Sequence, residues 1–136
     1  MSYPIRDIAG IDEQALKRLR GVGLRTTEAL LEAAKDVKGR KALSAKTGFP
    51  EQLLLEWANI ADQMRIKGLG KDYAPLVRDA GVHTVRELKH RNAARLARAI
   101  AEANSTRKTP VRFLPSEKAV QRWIEEAKAL DLKISY

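Results

Sequence analysis

Five consecutive residues, Lys67-Gly68-Leu69-Gly70-Lys71, combine types and spacing that suit a chemical task. Two glycines separated by one residue let the backbone pass through φ > 0. Helical patterning stops at them and resumes at Lys71, so the chain turns sharply and a helix starts directly from the turn. The first-turn amides of a helix have no intrahelical acceptor and carry the positive end of its dipole. With Lys67 and Lys71 beside them, those amides have the chemistry of a phosphate seat.

The formal charge of the 136 residues is +9, and its placement says more than its sum. Residues 1–63 carry 10 Lys/Arg against 9 Asp/Glu, residues 64–115 carry 12 against 4, and residues 116–136 carry 4 against 4, giving +1, +8 and 0. The excess therefore lies in the segment that begins at the glycine turn and continues through Arg91, Arg95, Arg98, Arg107, Lys108 and Arg112. Cations scattered over solvated helix faces would give a milder bias. Concentration around a phosphate-type turn favours an acidic polymer as partner, held by a salt-sensitive field that reads no bases.

Other chemistries find little support. Cysteine is absent, which removes disulfides, thiolate nucleophiles and cysteine metal sites. His83 and His90 lack ligand spacing, so neither a metal nor any cofactor is expected. Glu87 is accounted for by a capping box and Glu102 has no partner to use or raise its pKa, so no catalytic carboxylate follows the turn. Gly68-Leu-Gly-Lys71 lacks the spacing and the Ser/Thr of a nucleotide-binding P-loop. No apolar run approaches a membrane span, and Met-Ser-Tyr-Pro-Ile-Arg lacks the apolar core of a signal peptide, which predicts a cytoplasmic protein that is not an enzyme.

The elements that must position the turn are helical. Tyr3-Pro4 opens an extended arm, and a helix is expected over 12–20, stopped by Gly21 and Gly23. Thr26 or Thr27 caps the next helix, whose apolar positions Leu30, Leu31, Ala34 and Val37 recur at helical spacing until Gly39 breaks the pattern. A short helix over 40–47 ends at Gly48, and Phe49-Pro50 forms the corner before a longer one marked by Leu53, Trp57, Ile60, Ala61 and Met64. Past the turn, a helix over 71–80 tolerates Pro75, Thr84 opens a capping box, and Asn92 caps a helix running to about residue 104. The segment 105–115, with Pro110 and Pro115, reads as an exposed connection. Ser116 then caps a last helix with Val120, Trp123, Ile124, Ala127 and Leu130 on its buried stripe.

The two halves match at a constant shift of 58 positions: Ile8 with Ile66, Gly10 with Gly68, Ile11 with Leu69, Gly23 with Gly81, Leu24 with Val82, Thr26 with Thr84 and Leu30 with Leu88. Trp57 and Trp123 match at a shift of 66, each in the closing helix of its half and each inside an apolar stripe, so they read as core anchors. The expected fold is all-α: two repeats, 1–63 and 64–136, each a helical hairpin, a linking helix and a tryptophan helix, packed as one domain.

Ile66-Lys67-Gly68-Leu69-Gly70-Lys71, followed by Gly81-Val82-x-Thr84, resembles the helix-hairpin-helix family of DNA-binding modules, and Ile8-Ala9-Gly10-Ile11-Asp12 does so more weakly. Most of the chain is similar to an uncharacterised bacterial domain-of-unknown-function family built on such repeats. Ile-x-Gly-Leu-Gly-x-x-Tyr-Ala-x-Leu, Gly-Val-x-Thr-Val-x-Glu-Leu, Arg91-Asn92 and Pro115-Ser116 with Trp123-Ile124 carry that likeness. The first resemblance implies two tandem helix-hairpin-helix repeats packed as one pseudo-symmetric helical domain, with hairpin amides and a following cation holding DNA phosphates, here at Gly68, Gly70 and Lys71. In the first half Asp12 stands where the second has Gly70, and a carboxylate there would occupy the amides itself. The leading expectation is therefore sequence-independent binding of nucleic-acid backbone, DNA by the resemblance, at Lys67 to Lys71 with the arginines and lysine named above. The alternative is a protein-interaction adaptor whose basic face meets an acidic protein and whose hairpins are purely structural.

Overall fold

Polar side chains at helix starts set most of the element boundaries in the computed structural model, which describes residues 2–136. Asp12 caps α1 (Glu13–Gly21), Thr26 caps α2 (Thr27–Ala34) and Asp36 caps α3 (Val37–Thr47), each accepting from the amide three residues on. Two helices begin without such a cap: α4 (Glu51–Gln63) behind Pro50 and α5 (Gly70–Asp79) behind Leu69. Thr84, Asn92 and Ser116 then cap α6 (Val85–Leu88), α7 (Ala93–Ser105) and α8 (Glu117–Ala129). Ile5–Asp7 forms a 3₁₀ turn, and the only extended pairing among the described residues is an isolated antiparallel bridge between Pro4 and Thr26. The protein is all-α.

One boundary and one capping box differ from the sequence expectation. Gly39 does not break the chain between helices but lies in the first turn of α3, where its amide donates to Asp36 Oδ1 at 2.7 Å. A methyl group there would collide with the carbonyl oxygen of Ala33, so Gly39 lets two successive helices meet at a tight corner. At α6 Thr84 accepts from the Glu87 amide at 2.9 Å, but Glu87 reaches the Thr84 hydroxyl at 3.2 Å, with no bond to the backbone amide of Thr84. Only half of the expected box is formed.

The element order recurs between the halves. Helix α4 and helix α8 are both 13 residues long, and their starts at Glu51 and Glu117 keep the shift that separates the tryptophans. Gly10 and Gly68 take φ of +95° and +85°, and Gly23 and Gly81 take +85° and +97°. Each tryptophan lies against the hairpin glycine of its own half: a methyl at Gly10 would come 3.9 Å from Trp57 Nε1, and one at Gly68 would come 3.6 Å from Trp123 Nε1. Both rings are 3% exposed, which places them in the core. Their aromatic neighbours differ, Phe49 edge-on to Trp57 at 5.0 Å and Tyr73 tilted on Trp123 at 5.5 Å.

Packing joins α2 to α3 and α4 in the first half, and α7 to α5 and α8 in the second. Helix α4 also contacts α5 and α6, so it links the two sets. Buried Gln63, at its end, donates to the carbonyl of Val82 at 3.1 Å across that junction. The termini are tied back as well. Thr27 donates its amide to Tyr3 O at 2.8 Å, and Tyr3 returns its own to Thr27 Oγ1 at 3.0 Å. After α8 the chain runs extended, where Ser135 donates to Lys35 O at 2.8 Å, Arg40 donates to Ser135 O at 2.7 Å and Tyr136 Oη bonds Asn59 at 3.1 Å.

Candidate functional site

The hairpin between α4 and α5 is fastened from beneath. Ile66 and Leu69 are buried, and Leu69 donates its amide to Ile66 O at 3.2 Å, so the apex is pulled onto the core by two apolar side chains. Leu69, one of the residues expected to contact a ligand, therefore anchors the turn and has no free N–H to offer. Above it Gly68 is exposed and Gly70 half-buried, with Lys67 and Lys71 exposed on either side. Helix α5 has no side-chain cap, and the amides of Gly70, Lys71 and Asp72 have no acceptor among the described residues. These amides are the unsatisfied donors that a helix start presents to an anion. The Lys67 amide, by contrast, donates to Glu126 at 3.4 Å.

Two clefts open beside this turn and share Tyr73 as a wall. One, of about 450 Å³, is lined by Lys67, Gly68, Arg122, Trp123 and Glu126 among others. The other, of about 480 Å³, is lined by Lys71, Asp72, Arg107, Arg112 and Phe113 among others. The structure thus gathers Lys67, Gly68, Lys71, Arg107 and Arg112 around Tyr73. It does not bring Arg91, Arg95, Arg98 or Lys108 into either cleft: Arg95 and Arg98 lie exposed along α7, Arg91 is half-buried before it and Lys108 is exposed after it. Arg107 is partly neutralised by Asp79, 3.3 Å away.

Arg122 and Phe113 of these clefts have no place in the sequence reading, and Tyr73 enters it only in the motif that follows the turn. Arg122 lies outside the segment of high net charge, in a stretch whose charges cancel, yet it borders the turn because α8 packs Trp123 against Gly68. The signal was its position next to the repeated tryptophan. Tyr73 packs on Trp123 and donates its hydroxyl to Phe113 O at 2.8 Å, a contact between residues 40 apart that no periodicity announces. Phe113 is 72% exposed in a connection read only as extended and basic.

The turn at Gly10 carries its own cap. Asp12 Oδ1 accepts from the Ala15 amide at 2.8 Å, placing a carboxylate of the chain itself at the start of α1. The neighbouring groove, about 250 Å³, is lined by Ala9, Gly10, Glu56 and Ile60 and also by Pro75, Arg78 and Asp79 of α5. Arg78 Nη2 pairs there with Glu56 Oε1 at 2.9 Å. By the shifts of 58 and 66, Ala9, Glu56 and Ile60 correspond to Lys67, Arg122 and Glu126. The groove beside Gly10 is therefore walled on one side by α5 and carries an acid where the groove beside Gly68 carries an arginine.

One buried acid lies apart from both turns. Asp62, 5% exposed near the end of α4, has its carboxyl pushed above the usual range by burial, against the lowering effect of the Arg65 guanidinium bonded to it. Desolvation wins there because the ion pair is itself largely withdrawn from water. Arg65 also reaches Asp131 O at 3.4 Å, so this acid belongs to the seam that holds the C-terminal segment.

Among the described residues no helix is long and apolar enough to cross a membrane. Residues 9–130, most of the chain, match a family model described as a domain of unknown function, DUF4332. No curated protein and no solved structure matches the chain.

Proposed function

We propose that this chain, which belongs to the DUF4332 family, binds the phosphate backbone of nucleic acid, DNA in the first instance, without reading sequence. In this reading it is a cytoplasmic binding module built of two tandem helix-hairpin-helix units and performs no catalytic step. The observation that carries it is the contrast between the two turns. At the start of α1 the Asp12 carboxylate caps the Ala15 amide, and the groove beside that turn holds the Arg78–Glu56 ion pair. The amides at the start of α5 are uncapped, flanked by two exposed lysines and bordered by clefts holding Arg122, Arg107 and Arg112. A phosphate oxygen seated on Gly70–Asp72 amides would gain charge-assisted hydrogen bonds and the helix dipole together, with Lys71 placed to neutralise it. Arg91, Arg95 and Arg98 would act at longer range, as field rather than contact.

The test is a fluorescence-anisotropy titration of a random-sequence DNA duplex across a salt series, with wild type, Lys71→Ala and Lys41→Ala. Lys41 serves as the control because it is an exposed lysine of α3 that lines neither cleft. Lys71→Ala is expected to flatten the plot of log affinity against log salt by up to about 0.9, the share of one neutralised phosphate, and Lys41→Ala to leave it nearly unchanged. Equal losses at the two positions would reduce the turn to one part of a diffuse basic surface. Absence of binding at low salt, with an acidic protein partner indifferent to added duplex, would replace this reading by the adaptor.

A further inference from the structure

We propose that Phe113 is a stacking platform for an unpaired base, so that the nucleic acid held at the Lys67–Lys71 turn is single-stranded where it crosses this cleft. The inference rests on the phosphate-binding reading above and adds the form of ligand that the second cleft accepts. Phe113 is 72% exposed and its neighbour Leu114 is 48% exposed. An aromatic ring left in water on a slack loop would signify little, but this loop is fastened at several points. Tyr73 Oη donates to Phe113 O at 2.8 Å, Val111 donates its amide to Asn104 Oδ1 at 2.8 Å, and Asn104 Nδ2 donates back to Val111 O at 3.2 Å. Pro115 restricts the backbone of Leu114 just before it. The ring is therefore presented in place.

Its surroundings identify the chemistry. The cleft beside Phe113 is lined by Lys71, Arg107 and Arg112 against one carboxylate, Asp72, so it favours an anionic chain, while the ring asks for a flat apolar partner. Single-stranded nucleic acid supplies both, a phosphate for the cations and an unstacked base for the ring. The Arg112 guanidinium lies 5.7 Å from the centre of the Phe113 ring and backs one of its faces. A side chain that wedges between the base pairs of a duplex needs both faces free, whereas a ring backed on one side offers a surface for one base. The geometry thus favours a frayed end, gap or single strand over an intact duplex.

The experiment compares three fluorescently labelled ligands of about 12 nucleotides, within the footprint of single-strand binders: oligothymidylate, an abasic strand of the same length, and a duplex. Wild type is expected to bind oligothymidylate more tightly than either of the others. Phe113→Ala should weaken oligothymidylate by roughly 5- to 150-fold, the range of one lost base stack, while leaving the abasic strand and the salt slope unchanged. Phe113→Trp should restore or exceed wild-type affinity, and circular dichroism verifies that both variants stay helical. If duplex and single strand bind equally and Phe113→Ala changes neither, while Lys71→Ala weakens both, the platform is refuted and the phosphate seat stands. If no ligand binds even at low salt, the phosphate seat has failed and the platform with it.

Discussion

Asp62 shows how a single side chain can couple this fold to pH. Burial raises its folded-state pKa above that of the unfolded chain although Arg65 is bonded to it, so folding favours the protonated form. A carboxyl shifted in this direction contributes stability that is fully present below its unfolded value and is lost as pH rises through its folded value. Wild type should therefore gain stability relative to Asp62→Asn as pH falls from neutrality toward about 4, the ordinary carboxylate range. Urea denaturation of the two proteins across that interval measures the difference directly. A difference that moves the other way would mean that the Arg65 ion pair outweighs desolvation.

At the scale of elements, the helix starts were legible because capping leaves a residue type at a fixed distance from an apolar pattern: Asn92 and Ser116 stand at their predicted caps, and of Thr26 and Thr27 the first is used. Gly39 was misread since a glycine inside a first turn and a glycine between helices look alike in sequence, and only the approach of Ala33 O separates them. Arg40 was placed at the beginning of a short helix, yet it is 4% exposed and donates to Ala34 O at 2.9 Å and to Ser135 O across the fold. The turn at residues 67–71 was read from local spacing, but Arg122 and Phe113 reach it through helix packing and a long-range hydrogen bond, which local spacing cannot carry. The two turns can be separated experimentally at this scale. Asp12→Ala removes a real cap and should cost about 1 kcal/mol in thermal or chemical denaturation while leaving duplex affinity intact. Gly68→Ala should weaken both, because φ of +85° costs an alanine roughly 1–2 kcal/mol and strains the turn from which the uncapped helix starts, although its methyl would meet Trp123 only at ordinary contact distance, 3.6 Å. A loss of binding by Asp12→Ala equal to that of Gly68→Ala would remove the distinction between an occupied and an open turn.

For the whole molecule the question is whether two similar halves fold as two units or one. Each half has its own tryptophan seated on its own hairpin glycine, which alone would allow independent folding. The contacts between halves argue for one cooperative unit. Helix α4 of the first half packs on α5 and α6 of the second, Gln63 spends a buried hydrogen bond on Val82, Arg78 pairs with Glu56, and the last residues of the chain return to Lys35, Arg40 and Asn59. Separating the halves would expose these apolar faces and leave buried polar groups without partners, a penalty of about 1–3 kcal/mol for each unsatisfied group before any apolar area is counted. The tryptophans provide the assay, since each reports on one half. Single-tryptophan variants, Trp57→Phe and Trp123→Phe, should each unfold in urea with a fluorescence midpoint that coincides with the loss of helical circular dichroism of the same protein. Midpoints that separate within one variant, with the fluorescence of one half lost while a large part of the helix signal persists, would show that the two halves fold separately. Coincident transitions would mean that the two halves unfold as one cooperative unit.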